Sequence, residues 1–438
     1  MSELAEAKVG DVTGLAEMII AKTIANDAGT SSAAGQPAPI LDVEELIKAM
    51  PMAELLMGVM KTQGKPLTHV VSDMARLSFA PSRISPEEYL DLRLYDDGAL
   101  AGADKKQFVG MKGCKWIGLE ANQNPNWFAM ATEKLPFYAV MGAYGLPTIK
   151  QKAVYHPRVK LPGLNSIPNK DELAIWLRKP EHFPCFGKPV SGSLSLGTVA
   201  IESYDPTTDK LLLSSGRQVD VAPLVEEIRA NYRQDGYMFQ ERLEPHPELR
   251  ALTGNRIGTI RVYTIWGDQG PEVFRVCWKV PAGANMADNF WRNGNMLAAL
   301  DETTGTVKRV IRGTGPRQVE VENHPDTGAR LVGATIPNFK DILDLSLWGA
   351  RVLNEVPLIG WDIAMTDRGA VLVEANNTPD FRLVQMAERR GVYDDRMTAF
   401  LARMRVIYAA AGKSNARAAS NVRKRGLTGV FRSMRKSA

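Results

Sequence analysis

The sequence predicts an α+β fold preceded by a mainly helical N-terminal region. Residues 37–130 show helical spacing of apolar side chains, with a capping-box helix start at Ser85-Pro86-Glu87-Glu88. Later in the chain, short runs of β-branched residues alternate with helical stretches at 220–234 and 339–354. Two such runs between Leu358 and Asp380 are separated by a turn, which is typical of a β-hairpin.

Length and composition indicate several subdomains. The chain has 438 residues, more than one compact core usually contains. Residues 1–36 end in small residues, Pro and Gly, which predicts a flexible segment. Residues 412–438 contain eight Lys or Arg and no acid. The whole chain has a net charge of +5, so the rest of the chain has a net charge of −3. We interpret this basic tail as a solvated segment, with weak contact to an anionic membrane surface as the alternative, and expect no nucleic acid partner.

The sequence also predicts a cytoplasmic location. The first residues include acids and lack the basic and apolar regions of a signal peptide. No uninterrupted apolar run reaches the roughly 18 residues that a membrane-spanning helix needs. Cys114, Cys185 and Cys277 are far apart and odd in number, which suggests a reducing compartment and not a disulfide framework.

Three oxygen-bearing side chains share one face of the predicted hairpin. Because strand side chains alternate between faces, Glu374 and Asn376 point the same way. A three-residue loop at Asp367-Arg368-Gly369 would place Asp362 opposite Glu374, with Cβ atoms about 5 Å apart. Two carboxylates this close need a shared proton or cation. The pattern therefore predicts a Mg²⁺ site, with a surface hairpin whose acids point to water as the alternative.

Two lysines and a loop of small residues predict a phosphate site. Lys134 begins a predicted helix, where a cation is disfavoured unless an anion comes near. Lys188 ends a short strand before the 191–197 loop, whose backbone N–H groups suit phosphate oxygens. This is not a Walker A loop, because the lysine precedes the glycines. A solvated surface lysine and a plain hairpin turn are the alternatives.

Arg261 stands among β-branched residues of a predicted strand. A buried arginine needs an anionic partner, so Arg261 predicts contact with a carboxylate or a phosphate. An internal ion pair with Glu241 or Glu374 is the competing interpretation.

Taken together, these residues resemble those of the ATP-grasp superfamily, and more closely its sugar-transfer associated branch. The resemblance rests on the pattern Asp362 … Glu374-x-Asn376, preceded in order by Lys134, Lys188 and the Ser/Gly loop. It covers about residues 130–400 and implies an ATP-grasp fold, in which two α+β lobes clasp ATP. The implied divisions are an ATP-grasp domain at 131–405, with a first segment at 131–180, a lid lobe at 181–243 and a metal-binding lobe at 244–405.

The resemblance also implies a role for each group of residues. The implied metal ligands, which would hold one or two Mg²⁺ ions or Mn²⁺, are Asp362, Glu374 and Asn376. The residues implied to contact ATP are Lys134, Lys188, Ser191, Gly192, Ser193, Gln240, Glu241, Arg242, Leu243 and, at the ribose, Glu248. Those implied to stabilise the transferred phosphoryl group are Arg261 and Lys279. On the acceptor side we expect five polar residues of this chain to face the substrate: Asp288, Asn289, Arg292, Asn293 and Arg382.

The resemblance implies a ligase that uses ATP to activate a carboxylate as an acyl phosphate, which an amine then attacks, with a role in cell-surface polysaccharide biosynthesis. Phosphoryl transfer of this kind needs positioning and charge neutralisation, not a nucleophilic triad. A phosphotransferase acting on a hydroxyl and a non-catalytic ATP-binding module are the alternatives. The chain departs from the pattern at Gly360, where many relatives carry an arginine, so Arg261 becomes the candidate for that charge.

Overall fold

The computed structural model describes residues 39–41, 51–79, 81–158, 160, 163–191, 196–283, 285 and 287–411. These residues form two seven-stranded sheets and the helices that cover them, which confirms the predicted α+β class. The predicted flexible segment 1–36 and the basic tail 412–438, with its expected membrane contact, lie outside the described residues. Within the described part of the chain, no helix is both long and apolar enough to cross a membrane.

The region before the first strand is helical, as the sequence predicts. Its helices are α1 (Met52–Gln63), α2 (Leu67–Phe79), α3 (Pro86–Asp91), α4 (Asp97–Leu100), α5 (Met111–Ala121), α6 (Phe128–Thr132) and α7 (Lys134–Ala143). Helix α3 begins with the predicted capping box, since the Ser85 side chain accepts from the Glu88 N–H and the Glu88 side chain accepts from the Ser85 N–H.

The first sheet follows and carries the small-residue loop. Its strands are β1 (Gln151–Tyr155), β2 (Asn165–Ile167), β3 (Cys185–Pro189), β4 (Val199–Asp205), β5 (Lys210–Leu213), β6 (Gln218–Asp220) and β7 (Tyr237–Glu241). They lie in the order β2-β1-β7-β3-β4-β5-β6. Helices α8 (Lys170–Leu177) and α9 (Val221–Tyr232) pack on this sheet through buried side chains such as Trp176 and Leu224.

The second sheet is built from the remainder of the chain. Its strands are β8 (Thr259–Gly267), β9 (Gly270–Val280), β10 (Met296–Leu300), β11 (Val307–Arg312), β12 (Val319–Glu320), β13 (Leu358–Thr366) and β14 (Gly369–Asn376). They lie in the order β12-β11-β10-β9-β8-β13-β14, and every pair is antiparallel. The accompanying helices are α10 (Pro247–Thr253), α11 (Phe339–Val352), α12 (Arg382–Glu388) and α13, which the structure describes over 395–411.

Both faces of the second sheet are packed. Ile260, Trp278 and Ile363 join a hydrophobic core that includes helix α11. Tyr263 and Leu358 join a second core that includes the N-terminal helices and helix α12. The N-terminal region therefore shares a core with this sheet and is not a separate unit.

The predicted hairpin forms, but its loop differs from the prediction. Thr366 pairs with Gly369, so the loop has two residues and the expected three-residue loop is wrong. Asp362 nevertheless lies opposite Glu374, because the register shifts at the next position, where Ile363 pairs with Leu372. The extra residue, Val373, forms a β-bulge that offsets the shorter loop.

Candidate active site

A cavity of about 1440 Å³ is lined by residues of both sheets. The predicted site residues that line it are Lys134, Lys188, Gln240, Glu241, Arg242, Leu243, Arg261, Lys279, Asp288, Asn289, Asp362, Glu374, Asn376 and Arg382. Segments more than 200 residues apart in sequence therefore converge on one space.

Asp362 accepts hydrogen bonds from two cationic side chains. Arg261 lies directly across from it on strand β8, and its Nε and Nη2 donate to the two carboxylate oxygens at 2.6 and 2.9 Å. Lys279 on strand β9 donates to Oδ2 at 3.1 Å. Burial opposes ionisation of this carboxyl, but the charges of Arg261 and Lys279 hold the pKa of Asp362 below its usual value. The predicted ion pairs of Arg261 with Glu241 or Glu374 are replaced by this one.

Gly360 packs closely against Pro379 and lies beside Arg261. A Cβ placed at Gly360 would lie 3.6 Å from both Cδ and Nη1 of Arg261, and 2.6 Å from the Pro379 side chain. The Arg261 side chain is therefore within ordinary van der Waals distance of a Cβ at this position. A larger residue at 360 would collide with Pro379.

Lys279 in turn connects Asp362 to the loop after strand β9. Its Nζ lies 3.4 Å from Oδ1 of Asp288, whose other oxygen accepts from the backbone N–H and hydroxyl of Thr259 at 2.7 and 2.5 Å. Burial works against the charge on Lys279, yet Asp288 and Asp362 raise the pKa of this lysine. The cationic form of Lys279 is thus maintained by two carboxylates.

Both predicted phosphate lysines line the cavity, where Lys188 is buried and Lys134 is half-buried. Lys188 donates to the Tyr138 hydroxyl at 2.9 Å. Burial lowers the pKa of Lys188 to about 8, against the opposing effect of the Glu374 and Asp362 carboxylates. Burial likewise lowers the pKa of Lys134. The Glu374 carboxylate raises this pKa, whereas the Lys188 cation lowers it. A dense group of cations of this kind favours a polyanionic ligand.

Strand β7 and the segment after it form another part of the wall. The Gln240 amide donates to the Gln151 side chain at 3.0 Å. The Glu241 carboxylate accepts from the Lys150 N–H at 2.9 Å and from Arg368 at 2.8 Å. Arg242 pairs with Glu202 and Glu244. The polar side chains of this wall are therefore bonded to other protein groups, while Leu243 supplies an apolar surface.

The predicted metal ligands Asp362, Glu374 and Asn376 suit Mg²⁺, which takes some of its ligands from water and phosphate. They suit less well an ion whose ligands are all protein side chains. No three His, Cys, Asp or Glu side chains among the described residues form a metal-binding group. Glu374 and Asn376 line the cavity, with the Asn376 amide donating to Glu374 at 3.2 Å. A carboxylate offers about four lone pairs, and three donors already occupy Asp362. Two carboxylates and one amide oxygen suit Mg²⁺, which takes its remaining ligands from water and phosphate.

Several predicted site residues do not line the cavity. Glu248 is exposed in the first turn of helix α10, and Ser191 donates to Glu133 at 3.2 Å. Arg292 is buried and Asn293 is exposed, and neither is among the residues that line the cavity. Gly192 and Ser193 lie outside the described residues. The roles of these six residues remain predictions.

The structure adds residues that the sequence did not identify. Tyr138 lies four positions after Lys134 on helix α7, a spacing that places both side chains on one helical face and could have indicated it. Asp91, Met111, Trp291 and Asp380 also line the cavity. The first two belong to the N-terminal region, and no local sequence pattern connects them to the hairpin.

Residues 186–399 match the family described as sugar-transfer associated ATP-grasp. No curated protein matches the chain.

Solved structures that match the chain include three ligases or synthetases. The D-alanine-D-alanine ligase from Coxiella burnetii matches with 14% identity and a TM-score of 0.37, over 66% of this chain and 62% of that one. The D-alanine--D-alanine ligase from Bacillus anthracis has 13% identity and a TM-score of 0.35, over 64% and 70%. The ADP complex of purK, an N5-carboxyaminoimidazole ribonucleotide synthetase, has 13% identity and a TM-score of 0.33, over 63% and 52%. The chain thus spans less than two thirds of the first and third of these proteins.

Proposed function

Because residues 186–399 of this chain belong to the sugar-transfer associated ATP-grasp family, we propose that it is an ATP- and Mg²⁺-dependent ligase. It activates a carboxylate as an acyl phosphate and joins the acyl group to an amine. The observation that supports the proposal most directly is the convergence of Lys188, Arg261 and Lys279 with Asp362 and Glu374 in one cavity.

The proposed roles follow from charge and position. Lys134 and Lys188 bind the phosphates of ATP, since both are cations at the cavity wall with pKa values that burial lowers. Leu243 and the backbone of residues 240–243 contact the base. Arg261 and Lys279 keep Asp362 ionised and face the charge that develops on the transferred phosphoryl group.

Asp362, Glu374 and Asn376 hold Mg²⁺, which when bound neutralises charge on the phosphates. In the first step a carboxylate oxygen bonds to the γ-phosphorus and the bond to ADP breaks. In the second step the amine nitrogen bonds to the acyl carbon, the C–O bond to phosphate breaks, and inorganic phosphate and one proton leave. The protein's contribution is positioning and charge neutralisation.

Substitution of Glu374 tests the proposal. The full chain would be supplied with Mg²⁺, ATP, and pools of amines, amino acids and sugar acids, and ADP, AMP and phosphate would be quantified. We expect ADP and phosphate only when a carboxylate and an amine are both present, and a loss on the order of 100-fold in Glu374→Gln. Glu272→Gln is the matched control, because Glu272 is a strand residue whose side chain is 49% exposed.

Other outcomes of this assay identify the alternatives. ADP together with a phosphorylated hydroxyl compound and no phosphate release would indicate a phosphotransferase. Nucleotide binding without turnover in any pool would indicate a non-catalytic module. Normal turnover in Glu374→Gln would contradict the site assignment.

Two further parts of the proposal concern context. A reaction in cell-surface polysaccharide biosynthesis is motivated by the family's description alone. A cytoplasmic location is motivated by Cys114, Cys185 and Cys277, which are buried free thiols and suit a reducing compartment.

A further inference from the structure

The cavity is larger than one nucleotide requires. Ligand pockets usually measure about 300–1,000 Å³, whereas this cavity measures about 1440 Å³. Part of its wall comes from the N-terminal region, the loop after strand β9 and the segment after strand β14. Six residues of this part form what we name the acceptor wall: Asp91, Met111, Trp291, Asp380, Arg382 and Leu383.

The N-terminal region holds the acceptor wall in place. The Asn122 side chain is 1% exposed and donates to the Asn377 carbonyl at 2.6 Å and to the Leu358 carbonyl at 2.8 Å. The Gln385 side chain exchanges two hydrogen bonds of 2.9 and 2.8 Å with the backbone of Val109. The segment that carries Asp380 and Arg382 is therefore fixed on both sides.

Arg382 is already neutralised within the protein. Its Nε and Nη2 each donate to an Asp380 oxygen at 2.9 Å, and its Nη1 lies 3.4 Å from Glu88. The guanidinium also lies 4.4 Å from the centre of the Trp291 ring. An anionic substrate would therefore have to compete with Asp380 and Glu88 for this cation.

Asp91 differs from the other charged groups of the wall. It lines the cavity and forms no ion pair with a described residue. Burial raises its pKa, although Thr314 and Arg382 act in the other direction. An unpaired carboxylate at the wall of a cavity is costly unless a cation or a proton joins it.

The acceptor wall and the group of charged residues around Asp362 carry net charges of opposite sign. On the acceptor wall, Asp91 and Asp380 outnumber Arg382. Around Asp362, the four cations Lys134, Lys188, Arg261 and Lys279 outnumber the three carboxylates Asp288, Asp362 and Glu374. Phosphates and a substrate carboxylate thus fit the second group, and a cationic molecule fits the first.

We propose that the acceptor wall binds the amine co-substrate as its ammonium ion, with Asp91 as the charged partner and Met111, Trp291 and Leu383 contacting the rest of the molecule. That the ligand is a co-substrate rests on the proposed function. The acceptor wall also gives the N-terminal helical region a role, because this region supplies Asp91 and Met111 and fixes the segment opposite them.

Two matched sets of small molecules test the charge preference directly. The first set is n-butylamine, n-butanol and butyrate; the second is D-glucosamine, D-glucose and D-glucuronate. Binding to the full chain would be measured by ligand-observed NMR, with and without a non-hydrolysable Mg²⁺–ATP analogue. We expect the ammonium compound of at least one set to bind more tightly than its neutral and anionic partners.

Substitution of Asp91 locates the site. We expect Asp91→Asn to weaken ammonium binding about tenfold or more, since a charge-assisted contact is lost. Nucleotide binding should stay unchanged, which also shows that the variant is folded. Asp97→Asn is the control, because Asp97 lies in the same helical region with a side chain that is 61% exposed.

The outcomes separate this inference from the proposed function. If neither ammonium compound binds better than its neutral partner, or if Asp91→Asn binds it as tightly as the native chain, the acceptor wall is not an ammonium site. If the nucleotide analogue fails to bind, the proposed function fails, while the preference measured without nucleotide still decides the acceptor wall.

Discussion

Lys188 illustrates how the environment of one residue leads to a functional prediction. Burial lowers the pKa of Lys188 to about 8, and only its protonated form attracts phosphate. We therefore expect the affinity for Mg²⁺–ADP to fall as the pH rises above 8, by up to about tenfold per pH unit. Isothermal titration between pH 6.5 and 9.5 would measure this. Lys188→Met should bind more weakly and show no break near pH 8, whereas an identical break in that variant would assign the titration to another group.

Single residues also show what the sequence can and cannot predict. The charged groups Lys188, Arg261, Asp362 and Glu374 were identifiable, because charges inside apolar strands are unusual. The partner of Arg261 was not, because Asp362 is 101 residues away and their contact depends on the pairing of strands β8 and β13. Local periodicity specifies which face a side chain takes, but not which strand lies beside it.

Among the secondary-structure elements, too, some features follow from local sequence and others depend on how the strands pair. The hairpin of strands β13 and β14 was predictable from alternation and a turn. Its bulge at Val373 was not, although this bulge is what keeps Asp362 opposite Glu374. A two-residue loop with no bulge would have shifted the register by one residue and turned one of these carboxylates to the other face.

Glu388, at the contact between helix α12 and strand β9, is another group with a shifted pKa. Burial raises the pKa of Glu388 to about 7, although Arg275, 3.4 Å away, opposes this. The folded chain favours the protonated form of Glu388. Its contribution to the free energy of unfolding is therefore fully present below the ordinary pKa of 4.5 and is lost as the pH rises through 7.

We therefore expect the unfolding free energy of the native chain to fall by roughly 3 kcal/mol between pH 4.5 and 8 through ionisation of Glu388. Glu388→Gln should not show this fall. Urea unfolding of native and variant chains across this range would measure the difference. Glu355→Gln, which changes an exposed glutamate, should follow the native curve. A constant difference between Glu388→Gln and the native chain would show that Glu388 does not titrate near neutral pH.

At the scale of the whole molecule, the N-terminal part of the chain contacts both sheets. Ile40 and Leu41 are buried in the core of the first sheet, whereas the helices from α1 onward share a core with the second. The sequence predicted helices in this region but not where they pack, because amphipathic spacing shows that a helix has an apolar face and not which surface covers it.

Glu227 on helix α9 provides the attachment to the first sheet. Its two carboxylate oxygens accept from the backbone N–H groups of Ile40 and Leu41 at 2.9 and 3.0 Å. Only residues 42–50 separate this attachment from Pro51, which precedes helix α1 beside the second sheet. Nine extended residues span at most about 30 Å, and we propose that the attachment restrains separation of the two sheets beyond that reach at the proposed nucleotide site.

We expect Glu227→Ala to release this attachment, because two buried N–H groups lose an ionised acceptor. Hydrogen exchange at the amides of Ile40 and Leu41 should accelerate on the order of tenfold, since one such bond contributes about 1.5–3 kcal/mol. The dissociation rate of bound nucleotide, followed by stopped flow, should rise as well. Glu226→Ala is the matched control, because Glu226 is the preceding residue of the same helix and forms only exposed ion pairs with Lys170 and Arg229. Faster exchange with an unchanged dissociation rate would show that the attachment holds residues 39–41 without restraining the two sheets.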